Sequence, residues 1–245
     1  MTRRKLIGAG LGSAAGVAGL AAAAKIAERY GLIPPDHGGL YGPGETLTYA
    51  AQRLLARQSM AREFPRSAIS TAPFANSQAP PEEQFKRLQA GSFGEWRLTV
   101  DGLVARPASF SLAELRSFPV RSQLTHLACE EGWSFIAEWT GVPLAHVLGV
   151  VGIAPQAKYV IYSSIQSDWW DSVDLDEALH PQTLVTYGLN GGDLPVPHGG
   201  PLRLRVPRQL GYKSVKFINR LTVTGRPRGL GSAAPGAGYA WYAGI

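Results

Sequence analysis

The stretch Leu127-Ala128-Cys129-Glu130-Glu131-Gly132-Trp133 contains the only cysteine of the chain. A lone thiol cannot form an intramolecular disulfide, so Cys129 is a buried packing residue, a nucleophile or a metal ligand. An isolated cysteine is most often a packing residue. Here two carboxylates and a glycine follow at once, which is typical of a turn at the end of a strand. These neighbours favour the metal ligand.

The composition indicates one substantial core built from short elements. The chain has 245 residues, of which 45% are hydrophobic, with 29 glycines and 18 prolines. Frequent turn residues and few long apolar runs predict a largely β or α+β protein. The net charge is +6, and without the first 24 residues it falls to +3, because 21 basic residues then face 18 acidic ones. So mild an excess, with no stripe of basic and aromatic residues, argues against a nucleic-acid-binding protein.

The amino terminus has the features of an export signal. Thr2-Arg3-Arg4-Lys5-Leu6-Ile7 is a twin-arginine start, and a moderately apolar stretch rich in glycine and alanine continues to Ala24. Such signals serve proteins that are exported after folding, which suits insertion of a cofactor in the cytoplasm. We expect residues 1–24 to be a signal segment and the protein to be periplasmic. A general secretory signal and an uncleaved membrane anchor are the alternatives.

Residues 25–81 are expected to form an extended arm with a helical stretch at 48–61, and residues 82–245 the main domain. Capping boxes predict short helices after Ser111 and Asp174, and a third helix is predicted at 144–151. Short helices among short strands predict an α+β protein with mixed sheets. The strands are predicted at residues 96–100, 120–128, 159–162, 183–187, 202–206 and 216–224.

Two further motifs accompany the Cys129 stretch: Trp139-Thr140-Gly141-Val142-Pro143-Leu144 and the final Tyr239-Ala240-Trp241-Tyr242-Ala243-Gly244-Ile245. Together they resemble the molybdopterin-binding domain of the sulfite oxidase superfamily, and most of all its branch of periplasmic methionine-sulfoxide reductases. The resemblance runs from about Phe74 to the carboxyl end and implies the fold of that superfamily. It also implies a molybdenum–molybdopterin cofactor with Cys129 as the protein ligand of the metal. A thiolate is a soft donor that suits such a centre, and no CxxC or HxxH pair is then required.

The resemblance also implies a set of cofactor contacts. Arg203 matches the arginine that holds the cofactor phosphate, a role that suits the bidentate guanidinium. His198 matches the histidine of the sulfite oxidases, where the reductase branch has asparagine. The Tyr-Glu pair that follows the matching asparagine in that branch is missing after Asn76. The predicted cofactor-binding residues are Asn76, Ser164, His198, Arg203, Ser214, Val215 and Lys216.

The residues alone leave other roles open for the same positions. Cys129 would be the nucleophile of a hydrolase if His126 or His198 served as its base. His126, however, lies three residues upstream on a predicted strand and should face away from Cys129. The alternation at 202–206 places Arg203 and Arg205 on one strand face, which would be solvated if neither bound a ligand.

Two more segments have an alternative interpretation. Residues 209–216 would be an exposed basic loop if they bound no phosphate. Residues 168–172 are predicted to be a loop, in which Trp169 and Trp170 either pack in the core or form walls of a substrate entrance.

Three functions are compatible with these observations. The first is reduction of an S-oxide such as methionine sulfoxide, with electrons from a haem-containing membrane subunit or a cytochrome. The second is sulfite oxidation with the same cofactor, which calls for converging arginines, whereas Glu130 and Glu131 follow Cys129 here. The third is an exported binding module without cofactor, which the joint presence of Cys129 and Arg203 disfavours.

Overall fold

The computed structural model describes residues 22, 24–38, 42–76, 78–229, 231 and 239–245. Apart from Ala22 and Ala24, the predicted signal segment lies outside the described residues. The chain divides into two compact units, one ending at Ala56 and the other spanning Arg57–Ile245. The first unit contains helix α1 (Gly42–Leu55). The helices among these described residues are all too short or too polar to cross a membrane.

The described residues of the second unit form ten short strands in two sheets. The strands are β1 (Arg97–Gly102), β2 (Ala108–Ser111), β3 (Arg121–Ala128), β4 (Ser134–Pro143), β5 (Tyr159–Ser164), β6 (Trp170–Asp174), β7 (Leu184–Leu189), β8 (Gly192–Asp193), β9 (Arg203–Arg205) and β10 (Ile218–Thr224). One sheet has the order β2-β1-β10-β5-β6, and the other has the order β3-β4-β7-β8 with β9 paired to β7. Only β1 and β10 run parallel among these pairs. The predicted α+β class with mixed sheets is therefore confirmed.

Short α-helices also occur among the residues described in this unit: α2 (Glu83–Ala90), α3 (Leu112–Ser117), α4 (Leu144–Val151) and α5 (Leu175–Ala178). The predicted capping box is present at α3, where the Ser111 side chain accepts from Glu114 N and the Glu114 carboxylate accepts from Ser111 N. Asp174 caps α5 by accepting from Glu177 N. Local sequence signals thus fix these helix starts.

The main core contains apolar side chains of both sheets together with those of α4. Leu98 and Val160 of the first sheet and Val142 and Val185 of the second belong to one buried cluster. The side chains of Leu202, Leu204 and Val206 join it, as their alternation predicts. This arrangement leaves the arginines between them on the opposite face of β9, toward β3 and β4.

The predicted helix at 48–61 is confirmed only as far as Leu55. The helix α1 begins at Gly42 and ends at Leu55. The chain from Ala61 onward pairs instead with other parts of the second unit: Phe64 N donates to Leu124 O and Ser70 N to Ile136 O, each at 2.9 Å. This pairing begins after the helix has ended, and it covers part of the open edge of β3.

The predicted loop at 168–172 is also wrong in part. The turn is shorter than expected, because Ser164 N donates to Trp169 O at 2.9 Å and β6 starts at Trp170. Asp168 allows this tight reversal by adopting a φ of +58°. Trp169 therefore lies just before β6 and Trp170 is its first residue, and their side chains lie in different environments.

Candidate functional site

A cavity of about 410 Å³ lies beside the end of β3. It combines a thiol, four cationic or amide side chains, two carboxylates and a set of aromatic rings. Among the predicted site residues, the structure brings six together in its wall: Asn76, Cys129, Arg203, Ser214, Val215 and Lys216. Ser164 and His198 are outside the wall that the described residues form.

Cys129 lies in a tight turn directly after β3, as the sequence predicts. Its N–H donates to Trp133 O at 2.9 Å, and Gly132 N donates back to Cys129 O at 3.1 Å. Gly132 has a φ of +90°, which favours glycine. The turn places the sulfur at the cavity, where the thiol donates to Glu130 Oε2 at 3.2 Å.

The environment of Cys129 does not suit a nucleophile. Burial, and then the nearby charges of Glu130 and Glu131, raise the pKa of the thiol to about 12. Near neutral pH the thiol is therefore protonated, unless a metal ion stabilises the thiolate. The ring of His126 packs near Phe64, with 6.5 Å between ring centroids. The hydrolase interpretation thus lacks both a reactive thiolate and its histidine base, since neither His126 nor His198 belongs to the cavity wall.

A second loop, which includes the 3-10 turn Gly211–Lys213, approaches the cysteine closely. A Cβ atom on Gly211 would lie 3.3 Å from Ala128 O and 3.4 Å from Cys129 Cα. Such contacts are tighter than packed side chains normally make, so glycine suits this position. The alternative of an exposed basic loop is wrong, because Lys213, Ser214 and Val215 are buried.

Arg203 ties two loops of the cavity together. Its Nη1 donates to His198 O at 2.8 Å, and its Nη2 donates to Ser214 O at 2.7 Å. Its Nε has no hydrogen-bond partner within the described part of the chain. Arg203 is 3% exposed and Arg205 is 0% exposed, so the alternative of a solvated strand face is wrong. Trp139 of β4 lies against both guanidinium groups and excludes water from them.

Lys216 and Asn76 form the other side of the cavity. The Lys216 ammonium donates to Asn76 Oδ1 at 3.0 Å and to Pro197 O at 2.9 Å. Asn76 Nδ2 donates in turn to Glu131 Oε2 at 3.1 Å. Burial, and then the charge of Arg203, lower the pKa of Lys216 to about 7. An anion bound in the cavity would stabilise the charged form of this lysine.

His198 and Ser164 support the cavity from outside its wall. Gly199 follows His198 with a φ of +103°, and a Cβ there would meet the Lys216 side chain at 2.8 Å. The imidazole of His198 packs edge-on against Phe135, with ring centroids 5.6 Å apart. The Ser164 hydroxyl accepts from Gln166 N at 3.0 Å and so shapes the turn that leads to Trp169.

Three aromatic side chains of the cavity wall are at least partly exposed: Trp133, Trp169 and Tyr239, which we call the aromatic rim. Trp169 is 38% exposed, so the entrance-wall interpretation holds for it. Trp170 instead lies under Gly229 and the Arg228 guanidinium. The sequence alone does not predict these different environments, because they depend on the start of β6 at Trp170.

A buried ion pair that sequence reasoning missed holds the 211–216 loop in place. The Lys213 ammonium donates to Asp171 Oδ1 and, at 2.8 Å, to Ser172 O, and both charged side chains are at most 2% exposed. The final segment packs over this pair, because Trp241 Nε1 donates to Ser172 Oγ at 2.9 Å. Tyr239, in the same segment, stacks on Tyr212 at 4.9 Å and reaches the cavity.

The buried histidine leads to a pH prediction for the cofactor-free chain. Burial, and then the charges of Arg203 and Lys216, lower the pKa of His198 from 6.5 to about 4. The unfolded chain therefore binds the proton first, and the stability present above pH 6.5 is lost as the pH falls toward 4. Urea unfolding measures the free energy of unfolding at pH 7 and at pH 4.5. The decrease between these two pH values should be about 1–3 kcal/mol smaller in His198→Asn than in the wild type.

His146, whose ring packs against Phe118, provides the matched control for that prediction. His146→Asn is expected to keep the acid limb of the wild-type stability profile. An equal change for the two variants would contradict the assignment of this limb to His198.

Comparison with known proteins identifies the family. The sequence profile of the oxidoreductase molybdopterin-binding domain matches residues 86–229, and the chain belongs to this family. The predicted cofactor class and the resemblance to the sulfite oxidase superfamily are thereby confirmed. A binding module without cofactor, considered above, is set aside.

Individual relatives agree with this class. A protein of Azospira oryzae named as a candidate protein-methionine-sulfoxide reductase subunit YedZ1 is 38% identical over 186 residues, which are 74% of this chain and 66% of that protein. The protein-methionine-sulfoxide reductase catalytic subunit MsrP of Xanthomonas campestris is 36% identical over 160 residues, which are 59% of this chain and 49% of that protein. The chain thus spans less than two thirds of these relatives.

Among solved structures, the sulfane dehydrogenase SoxCD of Paracoccus pantotrophus shares the fold. The TM-score is 0.52 with 24% identity, over 54% of this chain and 39% of that chain. This likeness confirms the predicted sulfite-oxidase-type fold, and at this identity it shows the fold alone.

The residues of the cavity fit a molybdopterin cofactor. The volume of the cavity, about 410 Å³, is within the usual range of about 300–1,000 Å³ for ligand and cofactor sites. Cys129 offers one soft donor, and the described residues contain no group of three or more His, Cys, Asp or Glu that could hold a metal by themselves. The partnerless Nε of Arg203 is a buried donor that a phosphate oxygen would satisfy.

Proposed function

We propose that the chain is the catalytic part of an exported molybdenum-cofactor enzyme that removes the oxygen atom of an S-oxide such as methionine sulfoxide. The observation that carries this proposal is the cavity itself, where the single thiol lies below an aromatic rim and beside two carboxylates. When bound, the cofactor supplies two-electron oxygen-atom transfer at sulfur. The overall reaction takes up two electrons and two protons and releases a thioether and water.

In this proposal the chain's own residues hold the cofactor by its two ends. Cys129 is the ligand of the metal, and Arg203, Ser214, Val215 and Lys216 bind the phosphate end. Charged and backbone donors in a buried site suit a phosphate because charge-assisted hydrogen bonds are the strongest kind. Further cofactor contacts are proposed for three residues: Asn76, Ser164 and His198.

The aromatic rim suits a neutral sulfur compound that carries a methyl group. The methyl and methylene groups of such a compound gain about 0.8 kcal/mol for each CH₂ that is buried against the rings. Trp133, Trp169 and Tyr239 supply such rings at the cavity. Exposed aromatic side chains around a catalytic cavity also suit a substrate presented on a protein surface. The names of the sequence relatives support this choice.

The carboxylates argue against the alternative of sulfite oxidation. Hydrogen bonds from Trp133 and Asn76 lower the pKa of Glu131, so this group stays ionised near the sulfur. The negative charge of Glu131 would repel a sulfite dianion, but it would not repel a neutral S-oxide. Steady-state assays with both compounds separate the two functions. We expect turnover with methionine sulfoxide and little with sulfite, and the opposite result would overturn the proposal.

We propose export by the twin-arginine route to the periplasm and electron supply from a haem-containing membrane subunit or cytochrome. The Arg3-Arg4 start supports the route, since a cofactor enzyme must fold before export. The relatives support the partner, because they are named as subunits of a reductase. Fractionation of cells that express wild type and an Arg3→Lys, Arg4→Lys variant tests the route, and an equally exported variant would contradict it.

Trp169→Ala is expected to weaken substrate binding. Loss of the apolar contact with one or two methyl or methylene groups, about 0.8 kcal/mol each, raises the KM for a methionine-sulfoxide peptide by about 4- to 15-fold. Since Trp169 touches the substrate and not the reacting metal in this proposal, kcat should stay within about twofold. Steady-state kinetics on enzyme with equal molybdenum content measure both constants.

Trp169→Phe is the matched control, because it keeps a ring at the rim. Its KM is expected to stay within about threefold of the wild-type value. A KM for Trp169→Ala equal to that of the wild type would remove Trp169 from the substrate site.

A further inference from the structure

Two arginine side chains lie buried on the same indole ring behind the cavity. The guanidinium carbons of Arg203 and Arg205 are 5.1 Å and 5.3 Å from the ring centroid of Trp139. Arg203 reaches the cavity wall, and Arg205 lies deeper, with no exposed surface. The structure therefore concentrates two positive charges in one dry region.

No carboxylate forms an ion pair with either arginine in the part of the chain that the structure describes. Carbonyl groups accept from them instead: Arg205 Nη2 donates to His126 O at 2.6 Å. The Nε and Nη1 atoms of Arg205 and the Nε of Arg203 have no hydrogen-bond partner among the described residues. Buried guanidinium groups normally satisfy these donors. Of the three atoms, the Nε of Arg203 belongs to a residue of the cavity wall, where a bound anion could accept from it.

The pKa values of the two arginines also favour a bound anion. Burial lowers the pKa of each arginine to about 9, and the charge of Arg203 further lowers that of Arg205. Contact with the Trp139 ring offsets only part of the cost of burying two like charges. An anion beside Arg203 would offset the rest.

We propose that Arg205 is the second cation of a buried anion site which it shares with Arg203, and that the chain reaches full stability only when an anionic phosphate occupies that site. Arg203 makes the contact at the cavity, and Arg205 acts through it as a positioning residue. The inference depends on the phosphate-bearing cofactor of the family and not on the proposed S-oxide substrate. Its failure would leave the substrate proposal standing.

The test uses the full chain produced in a host that lacks molybdopterin, with inorganic phosphate as the probe. Melting temperature is measured against phosphate concentration and against sodium chloride at matched ionic strength. For the wild type, phosphate is expected to raise the melting temperature by about 5 °C more than chloride, with saturation. If the wild type melts at the same temperature in phosphate and in sodium chloride, this result alone overturns the proposal.

Three variants locate the effect. In Arg205→Met, which keeps the bulk and removes the charge, the melting temperature without phosphate should equal or exceed that of the wild type, and the phosphate gain should fall to less than half. Arg205→Lys keeps the charge and should keep most of the gain. Arg220→Met removes an exposed arginine that pairs with Asp101 and should leave the gain unchanged.

The competing role for Arg205 is a structural clamp on the His126 carbonyl. A clamp alone predicts that Arg205→Met melts lower than the wild type and keeps the full phosphate gain. That combination would overturn the proposal. Should Arg205→Met fail to fold, Arg205→Gln replaces it, because glutamine removes the charge and keeps an amide donor for His126 O. The proposal predicts less than half of the phosphate gain in Arg205→Gln, and a clamp predicts the full gain.

Discussion

Cys129→Ser is expected to reduce methionine-sulfoxide reductase activity by at least about 100-fold, since losses of about 10- to 100-fold are typical even for residues that only support a metal ligand. The reason is chemical, because a serine hydroxyl is a harder and less acidic donor than a thiol and cannot replace a soft thiolate at molybdenum. Activity is measured with a methionine-sulfoxide peptide and an artificial electron donor, per molecule of bound pterin.

The cofactor-free forms of the two proteins provide the control. The thiol of Cys129 donates only to Glu130 and, more distantly, to Glu131, so its loss should leave the fold intact. We expect similar melting temperatures for both cofactor-free chains. A fully active Cys129→Ser enzyme would show that the sulfur is not a ligand.

Lys213→Met is expected to lower the free energy of unfolding by about 3–5 kcal/mol. The substitution leaves the Asp171 carboxylate buried without its counter-charge, and it also removes the donor to Ser172 O. Removal of one partner of a buried pair costs far more than the pair contributes, because the remaining charge is not solvated. Urea unfolding of the cofactor-free chain measures the change.

Lys86→Met is the matched control on the surface. Lys86 pairs with Glu83 at 2.6 Å, but these side chains are 57% and 89% exposed. The expected loss is about 0–1 kcal/mol. In the double variant Lys213→Met, Asp171→Leu, part of the large loss should be recovered. Equal losses for Lys213→Met and Lys86→Met would contradict the importance of the buried pair.

Local signals in the sequence were sufficient for several parts of the fold. The capping residues Ser111 and Asp174 fix helix starts because the signal and its partner lie within one turn. The turn at Cys129 is likewise encoded within the stretch itself, by Gly132 and its neighbours. The alternation of Leu202, Leu204 and Val206 correctly identified the core face of β9.

Features that depend on distant partners could not be predicted in this way. Burial of Arg203 and Arg205 requires Trp139, which another strand supplies from more than 60 positions away. The predicted helix at 48–61 ends already at Leu55, and the chain beyond it pairs with Leu124 and Ile136 of distant strands. The pair of Lys213 with Asp171 joins residues that are 42 positions apart. In each case tertiary contacts decide what local preference leaves open.

The same limit applies to the site. Six of the predicted residues share one cavity. Motif resemblance selected these residues without any knowledge of the sheets. The rim residue Tyr239 was visible only as part of the final motif, because its approach depends on the stacking with Tyr212. The opposite fates of Trp169 and Trp170 depend on a single residue of strand register.

The sulfur of Cys129 as a ligand of molybdenum is the claim on which the function depends most. X-ray absorption at the molybdenum edge tests it on the loaded wild-type enzyme and on Cys129→Ser loaded in the same host. We predict one sulfur neighbour fewer at the metal in the variant than in the wild type. The same sulfur count in both proteins would contradict the claim.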